Sequence, residues 1–202
     1  MNNDNETRNK LLLCAKKEFL EKGYAKASLR HICSEADVTT GAVYFFFKDK
    51  EGLFEAIVGE PLQKLLAAIK EHFSVDNTED FTTYVHKPGD HDDFAESLIN
   101  ILYEDREVVM LLLTKASGSK YENIIDQMID MVDMNFGRLA DKYAKAKNNK
   151  VNKYMSHWLS HLSVMSFIHL VTHVERKEDA LRYIKPMLEH LVIGWINYAL
   201  EE

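Results

Sequence analysis

Residues 7–54 read TRNKLLLCAKKEFLEKGYAKASLRHICSEADVTTGAVYFFFKDKEGLF, and the spacing of apolar residues and helix breakers in this stretch decides the fold. Leu12, Ala15, Phe19 and Leu20 return at helical intervals between about Glu6 and Lys22. Gly23 supplies a stop. After it, Ser28 caps a second helix whose apolar stripe is Leu29, Ile32, Cys33 and Ala36. Asp37 stands at the next turn, where an aspartate can take the left-handed conformation at more cost than glycine. Val38 plugs the small core, Thr39 or Thr40 caps a third helix, and that helix runs from Gly41 to about Phe46. Two short helices and a tight turn over a core of Ile32, Ala36, Val38, Val43 and Phe47 have the spacing of a helix-turn-helix.

Working outward, Asp49 can cap a fourth helix carrying Leu53, Phe54, Ile57 and Val58. Pro61 falls inside the apolar pattern that continues to Phe73, and its missing N–H predicts a bend or a restart there. Residues Ser74 to Asp93 are the most polar break, with a short helix allowed around Phe81, Tyr84 and Val85. Further helices are expected over Asp92 to Tyr103, Arg106 to Lys115, Tyr121 to Lys145, Lys153 to His173 and Glu178 to Leu200. No strand pattern persists, so the fold class is all-α with about nine helices. The expected division is a three-helix module at 1–52 and a helical body at 53–202.

Composition agrees, with 46% apolar residues, 28% charged residues, 3 Pro and 8 Gly in 202 residues. Cys14 and Cys33 are too few for a disulfide scaffold and suit a reducing compartment. The polar first residues do not resemble a secretory leader, and no apolar run approaches the roughly 20 residues that span a bilayer. A cytoplasmic protein without membrane attachment is the expectation. The net charge of −7 is unevenly held. Residues 1–52 carry nine Lys or Arg against eight Asp or Glu, leaving 16 against 24 for the rest. The acid lies in the body, and the near-neutral front module can still present a local basic face to nucleic acid.

The segment from Thr7 to Phe54 resembles the amino-terminal motif of the tetracycline-repressor family of one-component bacterial regulators. The landmarks are Phe19, Gly23, Tyr24, Ser28, Ile32, Ala36, Val38, Gly41, Tyr44, Phe47, Lys50 and Leu53, about a quarter of the chain. Two positions depart from the family: Asp37 stands where glycine is common, and Phe46 where histidine or tyrosine is frequent. The resemblance implies a ligand-responsive transcriptional regulator, a repressor, that binds a palindromic operator in double-stranded DNA as a homodimer. It implies release by a small molecule, dimer contacts through helices near 153–173 and 178–200, and no enzymatic activity.

The third helix is expected in the major groove. Thr39, Thr40, Gly41 and Ala42 occupy its start, where hydroxyls meet phosphates or base edges, glycine permits close approach and Ala42 meets a thymine methyl. Tyr44 and Lys50 are candidates for phosphates, with Ser28, Arg30 and His31 in support. If Phe47 is core, Phe45 and Phe46 cannot both be buried in so small a module: one meets DNA or the connector, or both lie under the fourth helix.

Candidate effector-lining residues are Phe73, Phe94, Leu98, Tyr103, Leu112, Tyr121, Ile125, Met128 and Met131, with Tyr84 and Phe136 beside them. A mixture of methionine and aromatics suits an apolar or planar ligand, though such stripes are also ordinary core. No cofactor is implied. His157 with His161, and His169 with His173, are each four apart on one helix face. With His86, His91, Asp92 and Asp93 they keep a metal- or haem-responsive regulator open as an alternative, although spacing fixes no third ligand. An enzyme finds no support in the motifs: His-Glu-x-x-His, a phosphate-binding glycine loop and a nucleophile elbow are all lacking. A helical dimer that binds small molecules without regulating transcription is the remaining reading.

Overall fold

A computed structural model of the chain describes residues 2–76 and 92–201. Among these residues the helices are α1 (Asn2–Lys26), α2 (Leu29–Glu35), α3 (Thr40–Phe47), α4 (Lys50–Asp76), α5 (Asp92–Glu104), α6 (Arg106–Lys115), α7 (Ile124–Lys147), α8 (Lys153–His173) and α9 (Lys177–Tyr198). The all-α class is as expected. The single β feature among the described residues is an isolated antiparallel bridge between Val151 and Leu200. There the Asn152 amide donates to the Ala199 carbonyl at 2.8 Å and the Glu201 amide to Lys150 at 2.9 Å. Phe81, Tyr84, Val85, His86 and His91 lie outside the described residues.

Two expected interruptions behave differently. Gly23 leaves helical geometry at φ 74°, ψ 165°, after which one further turn runs to Lys26. That region of backbone space is closed to residues with a Cβ, so the glycine is required by the conformation. Pro61 does not restart the helix, and α4 runs through it to Asp76. A single missing N–H costs one rung, and apolar residues on both sides hold the rest: Leu53, Phe54, Val58, Leu62, Leu65, Ile69 and Phe73 are buried.

The chain divides into two compact units, the first Met1–Lys64 with Asp105–Ile124 and the second Leu65–Glu104 with Ile125–Glu202. In the first, Leu11, Ala15 and Phe19 of α1, Ile32 of α2, Val43 and Phe47 of α3, and Leu53 and Phe54 of α4 form a buried core. Helix α6 returns from far along the chain to lie on α1. Its Leu111 is fully buried. The Lys16 ammonium reaches Asp105 at 2.9 Å, and Lys115 donates to the Leu20 carbonyl. Asp105 also caps α6 by accepting the Val108 amide at 3.2 Å. A division between residues 52 and 53 follows the order of the chain, whereas this unit gathers α6 from beyond it.

In the second unit, Ala95 and Ile99 of α5, Leu170 of α8, and Ala180 and Ile184 of α9 form a buried core. An aromatic chain runs beside it, Phe73 to Phe136 at 5.8 Å and Phe136 to Trp195 at 6.2 Å between ring centroids. No helix among the described residues is long and apolar enough to cross a membrane.

Candidate nucleic-acid interface

The turn between α2 and α3 is made by one residue in the left-handed region. Asp37 sits at φ 54°, the conformation its place in the sequence predicts. The Ala36 amide closes α2 onto the Ile32 carbonyl at 3.0 Å, and the Val38 amide returns to Cys33 at 3.0 Å. Lys48 ends α3 with φ 74°, a second positive value without glycine. Each such residue carries roughly 1–2 kcal/mol of local strain. The turns persist because Val43 and Phe47 are buried on one side of α3 and leave the other side outward.

Glu18 fixes the start of α2, and its part is not anticipated above. This carboxylate is 3% exposed. It accepts the Ser28 amide at 3.0 Å, both of its oxygens lie 3.0 Å from the Lys22 ammonium, and His31 Nδ1 is 2.9 Å away. Burial works to raise its pKa, yet the Ser28 amide, Lys22 and His31 together outweigh burial and hold it below the usual carboxylate value. A signal lay in the sequence: Glu18 is three residues after Ala15 and seven after Leu11, on the buried stripe of α1, where a carboxylate has to be paired. Ser28 caps α2 as expected, its hydroxyl accepting from the His31 amide at 3.4 Å. Its own amide, a candidate backbone contact, is already used by Glu18.

Along α3, Thr39, Thr40 and Gly41 are exposed and Ala42 is half-buried. Thr39 is the N-cap, but its side chain makes no capping bond to its own helix. Tyr44 is 60% and Phe45 76% exposed, while Phe47 is buried. Phe46 is half-buried, and the Phe45 ring stands edge-on to it at 4.8 Å. The arrangement in which both phenylalanines lie under the fourth helix is thus not the one adopted. Arg30 is exposed. Lys50 donates to the Ala25 carbonyl at 3.3 Å, with its ammonium 4.6 Å from the Tyr24 ring centre. Burial lowers its pKa, with Glu18 opposing.

The corner after α3 depends on two further residues. Asp49 caps α4 by accepting the Gly52 amide at 2.8 Å. A Cβ on Gly52 would stand 1.9 Å from the Phe47 carbonyl oxygen, so only glycine fits this crossing. Behind it, Tyr24 donates to Glu51 at 2.9 Å, and its ring meets Phe54 edge-on at 5.0 Å. Burial, then the bond to Glu51, pushes the Tyr24 phenol up to about 12.

The candidate effector residues divide between the two units. Leu112 and Tyr121 belong to the first unit, Leu112 buried and Tyr121 6.2 Å from Phe54 between ring centroids. In the second unit, Phe73, Leu98 and Met128 are buried, and Phe94, Tyr103, Ile125 and Met131 are half-buried. Phe94 stacks on His72 at 3.7 Å. The Tyr103 hydroxyl donates to the last carbonyls of α8, at 2.7 Å to Val174 and 3.1 Å to Leu170, so it closes a helix end. An open cavity of about 330 Å³ lies between α8 and α9, lined by Leu162, Ser166, Pro186, Met187, His190 and Leu191. None of the expected lining residues contributes to it.

Three helices around a buried core, with the solvent face of the third left free, define a helix-turn-helix module of the DNA-reading kind. Residues 11–57 match the family described as bacterial regulatory proteins, tetR family. That match covers the amino-terminal module, which is similar to the DNA-binding module of the tetR family. It is 46% identical over 54 residues to the HTH-type transcriptional repressor BepR of Brucella suis, covering 27% of this chain and 26% of that one. Identity to the HTH-type transcriptional regulator AcrR of Shigella flexneri is 44% over 52 residues, 26% and 24% of the two chains. The match thus spans about a quarter of these curated relatives. The whole fold is similar to that of NalD of Pseudomonas aeruginosa, the secondary repressor of the MexAB-OprM multidrug efflux pump, at 20% identity and a TM-score of 0.57 over 94% and 97% of the chains. It is also similar to a TetR-like transcriptional regulator from Rhodococcus sp. RHA1, at 13% identity and a TM-score of 0.60 over 93% and 96%.

Proposed function

We propose that the protein is a transcriptional repressor that binds a palindromic operator as a homodimer and is released by a small apolar or planar molecule. The observation that carries this reading is the outward face of α3, where Thr39, Thr40, Gly41, Tyr44 and Phe45 are exposed on a helix whose opposite side is locked in a core. Residues 1–52 are the reading module and 53–202 the effector-binding and dimerising body. Thr40, Gly41 and Ala42 meet base edges. Thr39, Tyr44, Ser28 through its hydroxyl, Arg30 and Lys50 meet phosphates, Lys50 after leaving the Ala25 carbonyl. Phe45 meets the apolar edge of the groove. For the effector, Phe73, Phe94, Leu98, Met128, Met131 and Ile125 are the lining residues of the second unit.

Exposed apolar side chains on α8 and α9 support the dimer: Tyr154, Trp158 and Met165 on the first, Tyr183, Ile193 and Tyr198 on the second. One module reads too few base pairs for selectivity, and a two-fold pair reads half-sites in successive major grooves. A ligand releases such a dimer by binding its DNA-incompetent arrangement more tightly.

The test is binding to DNA from upstream of its own gene, measured across salt concentrations. Tyr44→Phe and Lys50→Ala weaken binding to every sequence, whereas Thr40→Ala and Ala42→Ser change the preferred bases. An unaltered footprint and affinity after all four substitutions overturns the assignment of the interface. An absence of specific binding overturns the regulator.

A further inference from the structure

We propose that His157 and His161 are half of a transition-metal site, which takes a borderline divalent cation such as Zn²⁺ and is completed by the same pair from a second copy of the chain. The proposal rests on the dimer reading above, because the described residues supply only two ligands at this place. Among the described residues no group of three or more ligating side chains converges.

The two rings stand one turn apart on α8, with centroids 4.7 Å apart and their Nε2 atoms 3.2 Å apart. A tetrahedral zinc with Zn–N distances of about 2.0–2.1 Å places its nitrogens about 3.3 Å from one another. The observed spacing is therefore what a shared cation needs, and it is also what one shared proton gives. The other side of His157 separates this pair from an ordinary surface pair. Its Nδ1 lies 3.1 Å from Asp133 Oδ2 on α7, and the second oxygen of Asp133 accepts the hydroxyl of the buried Ser160 at 3.0 Å. With Nδ1 carrying the proton toward a carboxylate, Nε2 keeps its lone pair and its direction. Such a carboxylate behind an imidazole makes the ring a better-oriented ligand.

His169 and His173 have the same sequence spacing without this support. Their rings stack at 4.2 Å, and His173 Nδ1 turns back to the His169 carbonyl at 3.1 Å and the Thr172 hydroxyl at 2.8 Å. The two pairs therefore differ in what orients them. His161 also lies on the stripe of α8 that carries Tyr154, Trp158 and Met165, all exposed. A two-fold contact through that stripe brings a second pair of imidazoles toward the first and completes four nitrogen ligands, a set suited to zinc, cobalt or nickel.

The experiment is titration of the tag-free full-length protein with Co²⁺, read by visible absorption, with sedimentation before and after addition. The expected result is a tetrahedral cobalt spectrum saturating at one metal per two chains and displaced by Zn²⁺. His157→Ala and His161→Ala, both at exposed positions, each weaken binding at least ~100-fold, and Asp133→Asn weakens it about 10–100-fold. The double substitution of His169 and His173 by Ala leaves it unchanged. A metal-free dimer that shows no spectrum overturns the site alone, as do saturation at one metal per chain and a spectrum that survives loss of both His157 and His161. A chain that remains monomeric with and without cobalt overturns the dimer reading and the shared site together.

Discussion

Phe45 and Phe47 are two residues apart on one helix, one 76% exposed and the other 7%. Leaving a phenylalanine in water forgoes about 1.5–3 kcal/mol of burial, so an outward Phe45 is an expense that folding itself does not explain. Phe45→Ala is expected to leave the denaturation midpoint within about 0.5 kcal/mol of the parent. The same substitution is expected to lower affinity for the proposed operator tenfold or more, about 1.4 kcal/mol. Phe47→Ala, as the contrast, destabilises the fold by ~3–5 kcal/mol. Glu18 acts through pH. Its carboxyl is held below the ordinary value of 4.5 in the folded protein, so its contribution is complete above that value. The contribution is lost as pH falls below 4.5 through the lowered value. Urea midpoints from about pH 6 to about pH 3 are expected to fall less steeply in Glu18→Gln than in the parent. Equal slopes defeat the assignment.

At the scale of elements, the corner between α3 and α4 is the least tolerant joint. Asp49 was legible as a cap because its side chain acts three residues along the chain. Gly52 was not legible, since the need for glycine arises from a carbonyl brought against it by the crossing of two helices. Gly52→Ala places its new methyl against backbone that cannot swing away. It is expected to destabilise the protein by ~1–3 kcal/mol in chemical denaturation, despite the better helix propensity of alanine. Gly23 and Asp37 were legible for the opposite reason, as positive φ is a property of a single residue. At Pro61 the helix does not restart, because the apolar side chains around it hold one helix through the missing bond.

For the molecule as a whole, the exposed apolar residues of α8 and α9 are either an interface or a liability. Ile193, 57% exposed, has no part in the buried core. If the proposed dimer forms, Ile193→Asp is expected to convert it to monomers in sedimentation and to abolish the proposed operator binding, while its helical circular dichroism stays at the parental level. A dimer that persists with unchanged affinity removes α9 from the interface.

The sequence by itself determined that the chain is helical and that residues 7–54 form a helix-turn-helix, because periodicity, caps and breakers act over a few residues. It also identified the outward start of α3, since only one side of so short a helix can serve the core. Tertiary structure decided which phenylalanine turns outward, that Glu18 anchors α2, that α6 comes back to α1, and that Asp133 orients His157. Each depends on groups ten to roughly ninety residues apart, and the strength of a pairing at that range is set by burial and geometry that no local pattern encodes.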